Sequence, residues 1–171
     1  MISKIILFLT LFFSIYSVPA LSGNLVIGAG TELLFNGELS GSYDYVSDFG
    51  LSYNFGTSKT FQYLIESGFS NSHETGSQYT QIRAGGGLRY LYGSLGSFDF
   101  FLDLTLGLAY TRETFYISLF DRQIETDFND TGINTKLTTG FFFKDSYGLS
   151  LSIRQYDDQS TSAGLRLLYR F

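Results

Sequence analysis

The chain of 171 residues contains no cysteine and no tryptophan, and it has one proline and one histidine. Without cysteine, a disulfide framework and a cysteine-ligated metal site are both excluded. Charged residues make up 16% of the sequence, against about 25% in a typical soluble domain. The formal net charge of −5 argues against nucleic acid as a partner. No apolar run after Tyr16 approaches the roughly 20 residues of a membrane helix, so a membrane-embedded form has to be a closed β-barrel.

The first twenty residues have the features of a secretory signal peptide. Lys4 is their only charge, Ile5 to Tyr16 is apolar, and small residues precede the expected cleavage site after Ala20. Cleavage leaves a single domain of 171 − 20 = 151 residues, 21–171, with a net charge of 10 − 16 = −6. A retained anchor helix is the alternative, and the short apolar run argues against it.

Apolar and polar residues alternate along most of the remaining chain, as they do in strands that have one apolar face. The clearest segment sets Leu104 and Leu106 against Asp103 and Thr105. Eight strands are predicted: Leu25–Phe35, Tyr43–Phe55, Phe61–Ser70, Gln78–Tyr92, Phe98–Thr111, Thr131–Phe143, Tyr147–Arg154 and Ser162–Phe171. The polar face is mainly Gly, Ser, Thr and Asn. Because a soluble barrel such as a lipocalin needs a more charged outer face, the all-β prediction is an eight-stranded antiparallel up-and-down transmembrane β-barrel.

The predicted connections alternate in length. Three short turns, Gly56–Lys59, Gly93–Ser97 and Lys144–Ser146, alternate with Asn36–Ser42, Asn71–Ser77, Arg112–Asp130 and Asp157–Thr161. In membrane barrels the short turns face the periplasm, so both termini are expected there. Outward aromatic residues flank both ends, as in the interfacial girdles of such barrels. They are Phe55, Phe61, Tyr92, Phe98, Phe143, Tyr147 and Phe171 at one rim, and Phe35, Tyr43, Phe69 and Tyr110 at the other.

The last strand has an apolar outer face and ends on an aromatic residue. Leu165, Leu167, Tyr169 and Phe171 alternate with an inner face that includes Gly164 and Arg166. This segment resembles the closing strand of the small outer-membrane β-barrel proteins of Gram-negative bacteria, the OmpA transmembrane domain and the OmpX/Ail group. The resemblance implies a fold of eight strands and a terminal sorting signal that the barrel assembly machinery reads.

The predicted lumen carries charges of both signs: Glu32, Glu66, Arg83, Arg89, Asp103, Lys136, Arg154 and Arg166. We expect Glu66 beside the strand of Arg83 and Arg89, and Glu32 near Arg166 once the barrel closes. An eight-stranded barrel is just wide enough for its own side chains, so a packed plug of ion pairs is expected. A narrow, gated, porin-like ion path through the same charges is the alternative.

A lipid A-modifying enzyme is a further alternative, because small barrels of this class include acyl-transferring and deacylating enzymes. The single histidine, His73, has Ser72 and Glu74 as neighbours, but no recognisable catalytic motif surrounds them. We therefore predict no enzymatic activity and no cofactor.

The longest predicted loop contains an apolar, β-prone segment with Phe115, Tyr116, Ile117, Leu119 and Phe120. Gln123 to Phe128 is suited to pair with it as a hairpin above the membrane. An exposed apolar strand is a partner for strand addition or hydrophobic contact. The acidic residues Asp121, Glu125, Asp127 and Asp130 match no EF-hand spacing, so a solvated loop is preferred to a cation site.

These observations predict an integral outer-membrane protein with a structural or adhesin-like surface role. Its expected partners are outer-membrane lipid, lipopolysaccharide, the barrel assembly machinery and a host or cell-surface ligand. We expect a monomer.

Overall fold

The computed structural model describes residues 23–35, 45–56, 58, 60–74, 77–119, 122–157 and 160–171. They form eight strands: β1 (Gly23–Phe35), β2 (Tyr45–Phe55), β3 (Phe61–Glu74), β4 (Ser77–Leu95), β5 (Phe98–Leu119), β6 (Arg122–Phe143), β7 (Tyr147–Tyr156) and β8 (Thr161–Arg170). Each strand pairs antiparallel with the next, and β8 pairs with β1, which closes the barrel. The predicted fold class is confirmed. Within these residues no helix is long and apolar enough to cross a membrane.

The two faces of the sheet follow the alternation in the sequence. Leu104, Leu106 and Leu108 point outward and expose 55%, 62% and 60% of their surface, whereas the intervening Thr105 is buried. The barrel therefore has an apolar outer surface and a mostly polar interior, the reverse of a soluble domain.

Aromatic side chains circle the end of the barrel that holds the tight turns. Ring pairs include Phe61 with Tyr90, Phe98 with Phe143 and Tyr147 with Tyr169, with centroids 4.9, 5.1 and 5.3 Å apart. At the other end, Phe35, Tyr45, Phe69 and Tyr110 are outward-facing and exposed. Tyr43, predicted at that rim, lies outside the described residues.

Several strands are longer than predicted. The segment predicted as the loop Arg112–Asp130 continues β5 and β6, which pair from Arg112 and Asn129 to Leu119 and Arg122. In the predicted loop Asn71–Ser77, residues 71–74 and Ser77 are likewise strand, and residues 75 and 76 lie outside the described residues. The outward apolar pattern stops before these extensions, but their β-prone residues pair across the hairpin all the same. β4 also runs through a bulge between Leu91 and Gly93, so the turn predicted at Gly93–Ser97 is only Gly96 and Ser97.

Tight turns and both ends of the described barrel lie together. Lys144 and Asp145 adopt positive φ angles of 49° and 61°, and the Ser146 amide donates to the Phe143 carbonyl, as in a type I′ hairpin turn. At the same end the Phe171 amide donates to the Leu25 carbonyl at 2.9 Å. The loop predicted at Asn36–Ser42 and the segment before Gly23 lie outside the described residues.

Two apolar clusters cross the lumen. The base cluster, near the tight turns, consists of Val26, Phe101 and Phe142, with Leu91 and Leu168 against it. The mouth cluster, near the long hairpins, consists of Leu34, Val46 and Tyr79. The charged interior lies between them.

Candidate functional site

All eight charged residues predicted in the lumen point into it. Seven of them expose less than a tenth of their surface, namely Glu32, Arg83, Arg89, Asp103, Lys136, Arg154 and Arg166, and the Glu66 side chain is 17% exposed. The strand alternation accounts for this placement, because each lies an even number of residues from other inward positions on its strand.

The best-aligned ion pair joins β4 to β5. Arg89 Nε donates to Asp103 Oδ1 and Arg89 Nη2 to Asp103 Oδ2, both at 2.7 Å. The same guanidinium lies over the Phe101 ring, 4.2 Å from its centroid. Arg89 thus connects the polar interior to the base cluster.

Glu32 receives hydrogen bonds from three side chains. Arg154 Nη1 donates to both carboxylate oxygens, at 2.7 and 2.8 Å, across the intervening strand β8. Arg166 Nη2 donates to Glu32 Oε1 at 3.5 Å, and Ser162 Oγ donates to Glu32 Oε2 at 3.4 Å. Closure therefore brings Glu32 near Arg166, as expected, but Arg154 is its nearer partner.

Asp48 also belongs to this network, although it is not among the lumenal charges predicted from the sequence. It forms ion pairs with Arg83 of β4 and Arg166 of β8, and Ser70 Oγ donates to its Oδ1 at 2.9 Å. Its side chain is completely buried. Asp48 lies two residues before the inward Gly50, so the strand alternation alone predicts that it faces the lumen.

Glu66 pairs with Lys136 of β6, not with Arg83 or Arg89 of the neighbouring strand. The register explains the difference, because Gly85 lies opposite Glu66 while the two arginines lie on either side of that position. The carboxylate reaches across the lumen instead, and Thr105 Oγ1 donates to its Oε1 at 3.1 Å.

A cavity of about 30 Å³ lies beside the Glu66–Lys136 pair. Arg89, Thr138 and Arg166 also line it, and the base cluster forms its floor. The Thr138 hydroxyl is buried and has no hydrogen-bond partner. In the described residues, then, the lumen is a set of ion pairs around a small polar cavity, closed by apolar side chains.

The residues of the predicted sorting strand face outward. Leu165, Leu167, Tyr169 and Phe171 are 47%, 70%, 39% and 65% exposed. Gly164 faces inward, where an added Cβ would lie 2.9 Å from Glu32 Cγ and from Ser152 Oγ. A side chain at that position would therefore disturb the carboxylate network.

The extended ends of β5 and β6 form a protruding hairpin, residues 112–130. On its lumenal face Phe115 packs edge-on against Phe128, with centroids 5.7 Å apart, and Ile124 and Phe128 are 46% and 60% exposed. Tyr116 is half-buried. The side chains of Ile117 and Leu119, and all of Phe120, lie outside the described part of the chain.

The outward face of the protruding hairpin is polar. Arg112 Nη2 donates to Asp127 Oδ2 at 2.6 Å, and Thr114 Oγ1 donates to Asp127 Oδ1 at 2.7 Å. The hydrogen bonds from Thr114 and then Arg112 hold the pKa of Asp127 below its ordinary value. Below Tyr110 the outward face is apolar, so the character of this face reverses where the hairpin begins.

One edge of the protruding hairpin is open. β7 pairs with β6 only as far as Asn134, and Asp157 then bonds the peptide of Ile133 through its amide and its carboxylate. Among the described residues, no strand pairs with residues 122–132 on that side. Backbone groups alternate along a strand, so the amides of Glu125 and Asp127 point toward the same open side as that of Ile133.

His73 and Ser72 do not form a catalytic pair. His73 is exposed at the outer end of β3, whereas Ser72 is buried and its hydroxyl donates to the Tyr45 carbonyl at 2.9 Å. Neighbouring residues of a strand project to opposite faces. The Glu74 side chain and Asp121 lie outside the described residues, within which no three acidic or histidine side chains are placed to hold a metal ion.

No protein-family model and no curated protein matches the sequence. Solved structures do match the fold. Ail, the attachment invasion locus protein of Yersinia pestis, aligns with a TM-score of 0.61 and 14% identity over 87% of this chain and 97% of that one. Neisserial surface protein A aligns with a TM-score of 0.61 and 12% identity over 86% of this chain and 95% of that one. The outer membrane enzyme PagL aligns with a TM-score of 0.55 and 12% identity over 86% of this chain and 98% of that one. The chain therefore has the fold of the small eight-stranded outer-membrane β-barrels.

Proposed function

We propose that the chain is an integral outer-membrane protein of a Gram-negative bacterium, and that its protruding hairpin binds a polypeptide partner at the cell surface. The hairpin carries the proposal, because it offers an apolar face and an unpaired strand edge beyond the barrel. Both features are typical of surfaces that pair with another chain.

The outer surface supports insertion in a membrane. Phe98 and Tyr110 are twelve residues apart on β5, which spans about 40 Å along a strand. A strand tilt of about 40° reduces this to roughly 30 Å, the thickness of the hydrocarbon core. Lipid and lipopolysaccharide are the neighbours that suit this surface. With the tight turns in the periplasm, the hairpin extends outside the cell.

The maturation and assembly steps are part of the proposal. Residues 1–20 direct secretion and are removed. The outward Leu165, Leu167, Tyr169 and Phe171 then present the closing strand to the assembly machinery.

Ail has been crystallised with sucrose octasulfate, a heparin analogue, in a structure that aligns here with a TM-score of 0.60. The hairpin of the present chain suits a different ligand. Glu125, Asp127 and Asp130 are exposed on it, and Arg112 is already paired with Asp127. A polyanion would be repelled, so we propose an extended polypeptide as its partner.

Two other functions have less support. An ion path has to pass the base cluster and the ion pairs, which fill the lumen around the cavity. A lipid-modifying site needs a histidine within reach of its nucleophile, and Ser72 is turned away from His73. We therefore propose a non-enzymatic barrel.

The proposal is tested by shortening the protruding hairpin. Phe115 and Thr126 lie opposite each other as a hydrogen-bonded pair, so an Asn-Gly turn can replace residues 116–125 without disturbing the pairs with β4, which end at Phe115. We expect unchanged heat-modifiable migration of the barrel and loss of attachment of producing cells to cultured host cells. Ser97→Ala, in a tight turn at the opposite end, is the control. Unchanged attachment by the shortened variant overturns the proposal.

A further inference from the structure

The charges in the interior between the base cluster and the mouth cluster do not balance. Five basic residues, Arg83, Arg89, Lys136, Arg154 and Arg166, lie with four carboxylates, Glu32, Asp48, Glu66 and Asp103, among the described residues. The difference is 5 − 4 = +1. An uncompensated charge in a buried site is costly, because it has lost its hydration. The interior therefore needs one more negative charge, or one of its bases has to be neutral.

Hydrogen-bond donors around the 30 Å³ cavity are incompletely used. The Lys136 ammonium, 3% exposed, donates to Glu66 Oε2 with one of its three N–H groups. The Thr138 hydroxyl, on the same face of β6, has no partner at all. Arg166 donates through Nε and Nη2 to Asp48 and Glu32, while its Nη1 lies where a side chain at Gly50 would be, 3.0 Å from an ideal Cβ.

The carboxylates near the cavity are directed at other donors. Both oxygens of Asp103 accept from Arg89, and the two oxygens of Glu66 accept from Thr105 and Lys136. Three cations, Arg89, Lys136 and Arg166, line the cavity with these two acids. The unused hydrogen-bond donors and the excess positive charge therefore lie at the same place, and both favour an anion there.

We propose that this cavity binds one small monovalent anion of the halide class, held by Lys136, Thr138 and Arg166. The volume of about 30 Å³ holds one or two water-sized particles, which admits a chloride ion and excludes larger organic anions. The anion supplies the missing charge and accepts the unused hydrogen bonds. Its role is independent of the surface partner proposed above.

Bromide provides a direct test in crystals of the complete protein. Anomalous scattering at the bromine absorption edge is expected to show one peak inside the barrel, between Lys136 Nζ and Thr138 Oγ1, after chloride is exchanged for bromide. A cavity that contains water only, while bromide peaks appear on the protein surface, overturns the proposal. That result would mean a neutral Lys136 balances the interior.

Variants test the charge argument in opposite directions. Stability of the barrel in detergent is measured as chloride replaces glutamate, an anion too large for the cavity, at constant ionic strength. Ligand linkage predicts that the wild-type protein becomes more stable with chloride. Lys136→Met brings the net lumenal charge to zero and is expected to abolish this dependence, whereas Glu66→Gln raises the charge to +2 and is expected to lower the half-saturating chloride concentration several-fold.

Thr135→Val, on the outward face of the same strand, is the matched control and is expected to behave as the wild type. A wild-type stability that does not depend on chloride, or a chloride dependence that persists in Lys136→Met, contradicts the proposal. Where Lys136→Met does not fold, the bromide peak and the Glu66→Gln titration decide.

Discussion

Arg89 on β4 and Asp103 on β5 lie directly opposite each other and form two parallel hydrogen bonds of 2.7 Å. Both side chains are buried, and the guanidinium rests on the Phe101 ring of the base cluster. In this geometry each side chain neutralises the charge of the other. Removal of either side chain therefore leaves a buried charge without a partner.

Removal of Arg89 is therefore expected to destabilise the barrel strongly. Arg89→Met leaves Asp103 buried and unpaired, which costs about 3–5 kcal/mol in comparable sites. The free energy of unfolding in lipid vesicles, obtained from urea titrations, measures this loss. Arg112→Met is the control, because Arg112 and Asp127 pair at the exposed surface, where water screens the two charges and the loss is expected to be small. Equal losses in the two variants would contradict the assigned packing of the lumen.

Asp127 is expected to make the protruding hairpin sensitive to acid. Hydrogen bonds from Thr114 and Arg112 lower its pKa below the ordinary value of 3.8. Since the folded carboxylate has the lower pKa, its contribution is present above about pH 4 and is lost as the pH falls through the folded pKa. NMR titration of the carboxyl group, with amide exchange in residues 112–130, measures both effects. A pKa at or above 3.8, or exchange in the hairpin that does not change with acid, argues against the Thr114–Asp127–Arg112 contacts.

The open edge of β6 is expected to carry partner binding. In Glu125→Pro the edge loses an outward-facing N–H group, which an edge strand tolerates but an added strand cannot pair with. We expect attachment to fall at least several-fold while the barrel folds normally. Glu125→Ala removes the same carboxylate and keeps the N–H group, so it separates strand pairing from charge. Equal attachment by the two variants would assign binding to another surface of the hairpin.

Phe171 is expected to govern assembly more than stability. Its ring is 65% exposed and packs edge-on against Tyr169, with centroids 4.7 Å apart. Deletion of Phe171 is predicted to lower the amount of folded protein in the outer membrane several-fold. The measurement is heat-modifiable protein in membrane fractions, compared with Tyr147→Ala, which removes a neighbouring girdle ring. A deletion variant that assembles as well as Tyr147→Ala would remove the sorting role.

The number of strands, and the face of the sheet on which each side chain lies, could be predicted from the sequence. A closed sheet with one apolar face imposes an alternation of period two along the whole chain. The alternation in Phe98–Thr111 predicts the outward Leu104 and the inward Asp103 without any knowledge of neighbours. Strand ends were less accessible, since the alternation of β5 changes character at Tyr110. The apolar side turns inward in the protruding hairpin while the backbone pairing continues.

Ion-pair partners could not be read from strand order alone. The side chains of Glu66 and Lys136 meet across the lumen, and Arg154 reaches Glu32 past β8. Such contacts depend on barrel diameter, strand stagger and side-chain length together. The inward position of Asp48 could be predicted from the sequence, because Asp48 and Gly50 are two residues apart on β2 and therefore share a face. The cavity was not, because its volume is what remains after all these side chains have packed.

Cysteine accessibility tests the central claim most directly, because the natural chain contains no cysteine. Three single substitutions are made at exposed positions: Glu125→Cys in the hairpin, Leu106→Cys in the apolar band and Ser97→Cys in a tight turn. A barrel that spans the outer membrane predicts that a membrane-impermeant maleimide labels position 125 on intact cells. Position 97 is then labelled only after the outer membrane is permeabilised, and position 106 only after denaturation. Labelling of all three positions in a soluble periplasmic fraction would contradict the membrane barrel.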